Sequence, residues 1–202
     1  KTINYIEDLK NAGNNKYYHF HKQLDAYLER AKARIVLDNM VDAHLDLDKI
    51  LFIDPEYWNA YYYKGKLFMM ADDYSSALPY LEMAVKNNIT VNDLFLLRGI
   101  ARFEQGVEDS GISDFERLLN IKTLSDMDRF TALFYYSKLS LYSGDLDRSL
   151  QSAIEAYSIE SKNINLLKHR GNLYRLLNMP KLAINDLDRA LSLGYNNRDL
   201  YF

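Results

Sequence analysis

The stretch "WNAYYYKGKLFMM", residues 58–70, sets five large rings and two methionines around a single glycine, Gly65. Three consecutive tyrosines fit a strand, where aromatic side chains are enriched. The glycine fits a turn. A helix whose rings serve two different faces is the third reading. Nothing inside the stretch separates the three, so the test is whether its pattern recurs.

It does recur. Thirty-four residues after Gly65 stands Gly99, and thirty-four before it stands Ala31. A step of 38 from Gly99 reaches Ser137, and a further 34 reaches Gly171. Twelve places after each of these five small residues come Ala43, Ala77, Gly111, Ser149 and Ala183, all small again. Seven places further on lie Ile50, Ala84, Leu118, Ala156 and Ala190, all apolar. A period in the range 20–50 residues marks stacked supersecondary units. The one irregular step puts four extra residues in the polar stretch "NIKTLSDMD" (120–128), where a longer loop between units costs little.

Each unit reads as two antiparallel helices, with one small column on each helix so that the backbones approach closely. Gly65 is then a helix–helix contact, which offsets the ~1 kcal/mol that glycine costs a helix relative to alanine. The chain of 202 residues has only eight glycines and three prolines, which favours long helices over many short strands. Pro79 lies inside a second helix and is expected to kink or locally open it. Pro180 falls near the first position of another, where proline is tolerated.

The units resemble the tetratricopeptide repeat (TPR) family, a 34-residue helix–turn–helix with a glycine in the first helix and an alanine in the second. "YYYKGKLF" (61–68), "LLRGIARF" (96–103) and "KHRGNLYRL" (168–176) carry the first-helix pattern. "DDYSSALPYLEMAV" (72–85) and "PKLAINDLDRAL" (180–191) carry the second, and "IDP" (53–55) supplies the terminal proline once. The resemblance implies an all-α, right-handed superhelical solenoid of antiparallel helix pairs. Five repeats are expected at 24–57, 58–91, 92–129, 130–163 and 164–197, after an N-terminal helical segment or cap over 1–23 (helix near 2–11) and before the start of a further helix or cap at 198–202.

Just before each small residue of the first column stand Arg30, Lys64, Arg98, Tyr136 and Arg170, where the family has leucine. Sixteen places later come Asp46, Tyr80, Asp114, Ser152 and Asp186. Three arginines match three aspartates, so Arg30–Asp46, Arg98–Asp114 and Arg170–Asp186 are expected to tie the two helices of a unit. Lys64 and Tyr136 have no such match.

The family geometry puts the first helix of each unit on a concave face. In 58–70, Tyr61, Gly65 and Phe68 share one side by helical spacing and are assigned to the core. Tyr62, Tyr63, Lys66, Met69 and Met70 are assigned to the groove. Carried through the array, the groove also includes Leu96, Phe103, Phe134, Tyr135, Lys138, Tyr142, Lys168, Asn172 and Arg175. Aromatic, Met and Arg side chains dominate interface energies, and a lysine among rings suits a carboxylate on a partner. Each ring has a second reading, packing between units. "KHRGN" (168–172) resembles the start of chaperone-tail-binding modules, but that clamp needs residues from two following units.

The implied function is a non-catalytic protein–protein interaction scaffold that binds a peptide or partner protein in the concave groove. The alternative is a regulatory or sensory TPR segment of a larger enzyme or signalling protein. A net charge of −3 gives no general attraction to nucleic acid. No run is long and apolar enough to span a membrane. The expectation is a soluble protein, cytoplasmic or extracytoplasmic, with room for a segment ahead of Lys1. No nucleophile–base spacing, phosphate loop or metal signature is present, so neither enzyme activity, cofactor nor metal is expected. His19 and His21 are poorly spaced for a metal, and "VDAHLDLDK" (41–49) reads as a solvated face.

Overall fold

A computed structural model describes residues 15–89 and 91–194. The described residues hold ten α-helices and no strand: α1 Asn15–Val36, α2 Met40–Ile53, α3 Trp58–Met70, α4 Tyr74–Lys86, α5 Asn92–Glu104, α6 Glu108–Leu119, α7 Asp126–Tyr142, α8 Leu146–Ile159, α9 Ile164–Leu176 and α10 Pro180–Ser192. The stretch 58–70 is α3 in full, so it is helix from end to end. Odd-numbered helices are the first of each pair and even-numbered ones the second. The expected segments at 2–11 and 198–202 lie outside the described residues. The chain divides within α5 into two compact units, residues 1–97 and 98–202.

The turns inside the pairs follow one design. Asp38, Asp72, Gly106, Gly144 and Asn178 each take a left-handed backbone, with φ between 55° and 82°. They share the spacing of the small column. Only Gly, and less often Asn or Asp, adopts this conformation at low cost. The next N–H bonds back five residues, from Asn39 to Arg34, Asp73 to Phe68, Val107 to Arg102, Asp145 to Ser140 and Met179 to Tyr174, at 2.8–2.9 Å. This closes the end of the first helix by a Schellman-type bond. Three of these next residues, Asn39, Asp73 and Asp145, also accept a backbone N–H with their side chains and so cap the second helix. Before α10 the cap position is Met179, and Pro180 opens the helix with no N–H to satisfy.

The small columns are where paired helices meet. A Cβ on Gly65 would lie 2.6 Å from Leu81 Cδ2, 2.7 Å from its Cγ and 3.3 Å from its backbone N. At Gly99 it would strike the Phe115 ring at 2.8 Å, and at Gly171 it would approach Leu187 at 3.1 Å. The fourth pair uses hydroxyls instead. Ser137 Oγ donates to the Ser149 carbonyl at 2.6 Å, and Ser149 Oγ donates to the Ser137 carbonyl at 2.7 Å, both fully buried. Two serines thus cross-link α7 and α8 where other pairs rely on bare contact.

The ion pairs form as their spacing predicts. Arg30 meets Asp46 at 2.9 and 2.5 Å, Arg98 meets Asp114 at 2.9 and 2.5 Å, and Arg170 meets Asp186 at 2.7 and 2.7 Å. Each is a two-pronged contact of guanidinium on carboxylate. Two aspartates receive a second arginine one turn on: Arg34 on Asp46, and Arg102 on Asp114 at 2.9 Å. Lys64, which had no match in sequence, reaches back to Asp48 on α2 and lies 5.2 Å from the Tyr80 ring. Tyr136 donates to Glu116 at 2.9 Å on α6. The "VDAHLDLDK" helix is therefore not simply a solvated face: Asp46 is buried, and His44 packs edge-on against Phe68 at 4.8 Å.

The four extra residues behave differently from expectation. α3, α5 and α9 have 13 residues each, whereas α7 has 17 and starts four residues early in register. The insertion is one additional helical turn, close to the 3.6 residues a turn requires. It is held at both ends. Ser125 caps it, accepting from the Asp128 N–H at 3.1 Å, and Asp126 and Asp128 favour its positive N-terminus. Arg129 donates to the carbonyls of Leu119 and Ile121 at 3.2 and 2.9 Å, which satisfies the end of α6. α4 runs through Pro79 as one helix.

Two outcomes test this packing. Gly65→Ala should gain helix propensity yet destabilise the chain by about 1–3 kcal/mol in urea unfolding, because Leu81 cannot clear the new methyl without moving backbone; a stabilised variant would show that the approach is not tight. Asp186→Asn strands the Arg170 guanidinium, which is buried and stacked 3.6 Å above the Tyr157 ring, and should cost about 3–5 kcal/mol by the same measurement.

Candidate partner-binding face

In the first unit the side of α3 assigned to the groove is closed at Tyr62 and partly open elsewhere. Tyr62 is only 4% exposed, and its hydroxyl donates to the Asp93 carboxylate at 2.6–2.7 Å. Lys66 Nζ joins the same carboxylate at 2.9 Å and lies 3.3 Å from the Tyr62 oxygen. Burial, then the bond to Asp93, push the Tyr62 phenol well above its usual range. Tyr63 packs edge-on against Tyr62 at 4.7 Å, and Lys32 sits 5.1 Å from the Tyr63 ring.

The division of the tyrosines is therefore corrected. Tyr62, assigned to the groove, is the buried ring. Tyr61, assigned to the core, is only half-buried; its hydroxyl donates to the Pro55 carbonyl at 3.0 Å and its ring lies 6.1 Å from Tyr80. Phe68 stacks on the same Tyr80 at 5.5 Å. The reason is geometric. The side of α3 bearing Tyr62 faces the start of α5, so consecutive first helices seal it. Leu96 is likewise buried, at 8% exposure. Met69 is half-buried and Met70 is exposed.

In the second unit the corresponding side of α7 is more open. Lys138 Nζ lies 4.7 Å from the Phe103 ring centroid, 5.1 Å from Tyr135 and 5.3 Å from Phe134. Phe103 packs against Tyr135 at 5.4 Å and Tyr142 at 5.7 Å, and Phe134 meets Tyr135 at 5.9 Å. All are half-buried except Tyr142, which is 65% exposed. Burial lowers the Lys138 ammonium's pKa, and the negative charge of Glu104 partly opposes that. On α9, Lys168 and Asn172 are half-buried and Arg175 is exposed; Arg175 donates to Asn172 Oδ1 at 2.9 Å.

One contact in this cluster was not read from sequence, that between His169 and Ser137. His169 packs edge-on against Phe134 at 5.8 Å, and its Nε2 lies 2.8 Å from Ser137 Oγ. Because the Ser137 proton is directed at the Ser149 carbonyl, His169 Nε2–H is the donor in that contact. Burial, then the charge of Lys138, lower the imidazole to about 4, so it is neutral near pH 7. A serine beside a histidine suggests a nucleophile and base, but here the histidine donates and the serine is fully buried. The pair is structural. The signal for it was the serine in place of glycine in the small column.

Among the described residues, no group of three or more His, Cys, Asp or Glu side chains could hold a metal, and no helix is long and apolar enough to cross a membrane.

No family model and no curated protein matches the sequence. Solved structures do match the fold. YrrB, a TPR protein with an unusual peptide-binding site, is 19% identical with a TM-score of 0.72 over 85% of this chain and 86% of its own. A MamA structure is 18% identical, with a TM-score of 0.68 over 81% of this chain and 93% of its own. PilF from Pseudomonas aeruginosa is 15% identical, with a TM-score of 0.70 over 88% of this chain and 79% of its own. Paired helices, glycine contacts and these likenesses agree: the chain has the all-α, tetratricopeptide-repeat fold.

Proposed function

We propose that the chain is a non-catalytic protein-interaction module, and that its principal contact is the face of α7 bearing Phe134, Tyr135, Lys138 and Tyr142, with Phe103 of α5 beside it. One observation carries the reading: three rings gather around a lysine that makes no ion pair among the described residues, with Tyr142 packed against one of them, on a side of α7 that is only half-covered. Large rings that stay partly open are the anchors interfaces favour. The likeness in fold to a peptide-binding TPR protein supports an extended or helical peptide segment as the ligand class. Lys168, Asn172 and Arg175 on α9 would continue that contact with polar groups. In the first unit, Tyr63, Met69 and Met70 are the groove candidates that keep open surface, and Lys66 is held by Asp93.

Affinity capture from the source cell tests this. The Phe103→Ala/Tyr142→Ala double variant should lose its partners by about tenfold or more while keeping its helical circular dichroism and melting temperature. Tyr62→Ala serves as the contrast: it should cost roughly 3 kcal/mol of stability. Partners retained in full by a folded double variant would refute the placement on α7.

A further inference from the structure

Three lysines occupy the same place in the repeat, directly after the small residue of the first helix: Lys32 after Ala31, Lys66 after Gly65, and Lys138 after Ser137. Two of them are neutralised within the chain. Lys32 Nζ pairs with Glu29 at 2.6 Å, and Lys66 Nζ with Asp93 at 2.9 Å. Lys138 has no ion pair among the described residues; Glu104 influences it only at longer range.

The difference traces to two substitutions between equivalent positions. Asp93, which holds Lys66, is the second residue of α5. The second residue of α9, equally far after Lys138, is Asn165. Tyr62, whose hydroxyl completes the Asp93 contact, stands four residues before Lys66. Four residues before Lys138 stands Phe134, which has no hydroxyl. The closed Tyr62–Lys66–Asp93 triad thus becomes Phe134–Lys138–Asn165, with neither carboxylate nor phenol. Asn165 is exposed, so the place a carboxylate would take is accessible from outside.

We propose that Lys138 receives an aspartate or glutamate side chain from the peptide segment that docks on α7, in the place Asp93 fills for Lys66, while apolar residues flanking that carboxylate lie on Phe103, Phe134 and Tyr135. The inference rests on the proposed docking face and adds the partner's charge. A half-buried ammonium left without a counter-charge is costly, and ring faces relieve the cost only in part. Lowering of the Lys138 pKa by burial is the expected mark of that deficit. One ammonium, with Glu104 close enough to be felt, suits a single-charged carboxylate better than a doubly charged phosphate, which calls for several cations.

The test uses the full chain and three labelled peptides of identical leucine and phenylalanine spacing that carry Glu, Gln or Lys at the remaining positions, followed by fluorescence anisotropy. The Glu peptide should bind about tenfold tighter than the Gln peptide, with the advantage shrinking as salt is raised. Lys138→Gln should remove the advantage. Asn165→Asp should remove it too, by supplying from within the carboxylate that the partner would bring, and should raise the urea midpoint. Equal binding of the Glu and Gln peptides to wild type would overturn the charge assignment and leave the docking face standing. Binding of none of the peptides, with an unchanged midpoint in Asn165→Asp, would overturn both.

Discussion

Close approach between the two helices of each pair is the constraint on which the rest of the structure depends. At Gly65, Gly99 and Gly171 no side chain separates the first helix from a Leu or Phe of the second. That proximity brings residues sixteen apart within reach, so Arg30, Arg98 and Arg170 can each grip an aspartate with two hydrogen bonds. It also explains why the left-handed turn residues sit at one fixed place in every repeat. A turn of set length is the only way to return the second helix onto the glycine. Where the fourth pair has Ser137 and Ser149, reciprocal hydroxyl-to-carbonyl bonds replace bare contact and keep the helices together.

Once one side of each first helix is committed to its partner, the chemistry of the other side is set by what the next first helix offers. Tyr62 and Lys66 meet an aspartate, which buries the ring and neutralises the lysine. Phe134 and Lys138 have an asparagine, Asn165, at the equivalent position and gain no such contact. The same backbone position therefore produces a charge-paired polar triad in one unit and an aromatic cluster around an unneutralised lysine in the other. Repeats make such comparisons informative, because geometry is held nearly constant while the side chains vary.

The period, the helical character of 58–70 and the three arginine–aspartate ties were legible in the sequence because each recurs in register. Three features were not. The four extra residues read as loop because they are polar, yet Ser125, Asp126 and Asp128 are also the residues that start a helix, and they add a turn to α7. Tyr62 turned out buried because helical spacing fixes which residues share a side but not which side the neighbouring helix covers. The buried His169–Ser137 contact could not be read from either residue alone, since it joins side chains 32 positions apart. The turn residues form one more column in the same register: Asp38, Asp72, Gly106, Gly144 and Asn178 are the residue types that a left-handed turn accepts.

The placement of the docking face on α7 is tested most directly by following backbone amide shifts of the isotope-labelled chain during titration with the Glu-bearing peptide. The account predicts that the largest changes gather at Phe103, Phe134, Lys138, Tyr142 and Asn165, while Tyr62, Lys66 and Asp93 stay still. Changes centred on the Tyr62–Lys66–Asp93 triad, or on the second helices of the pairs, would contradict it.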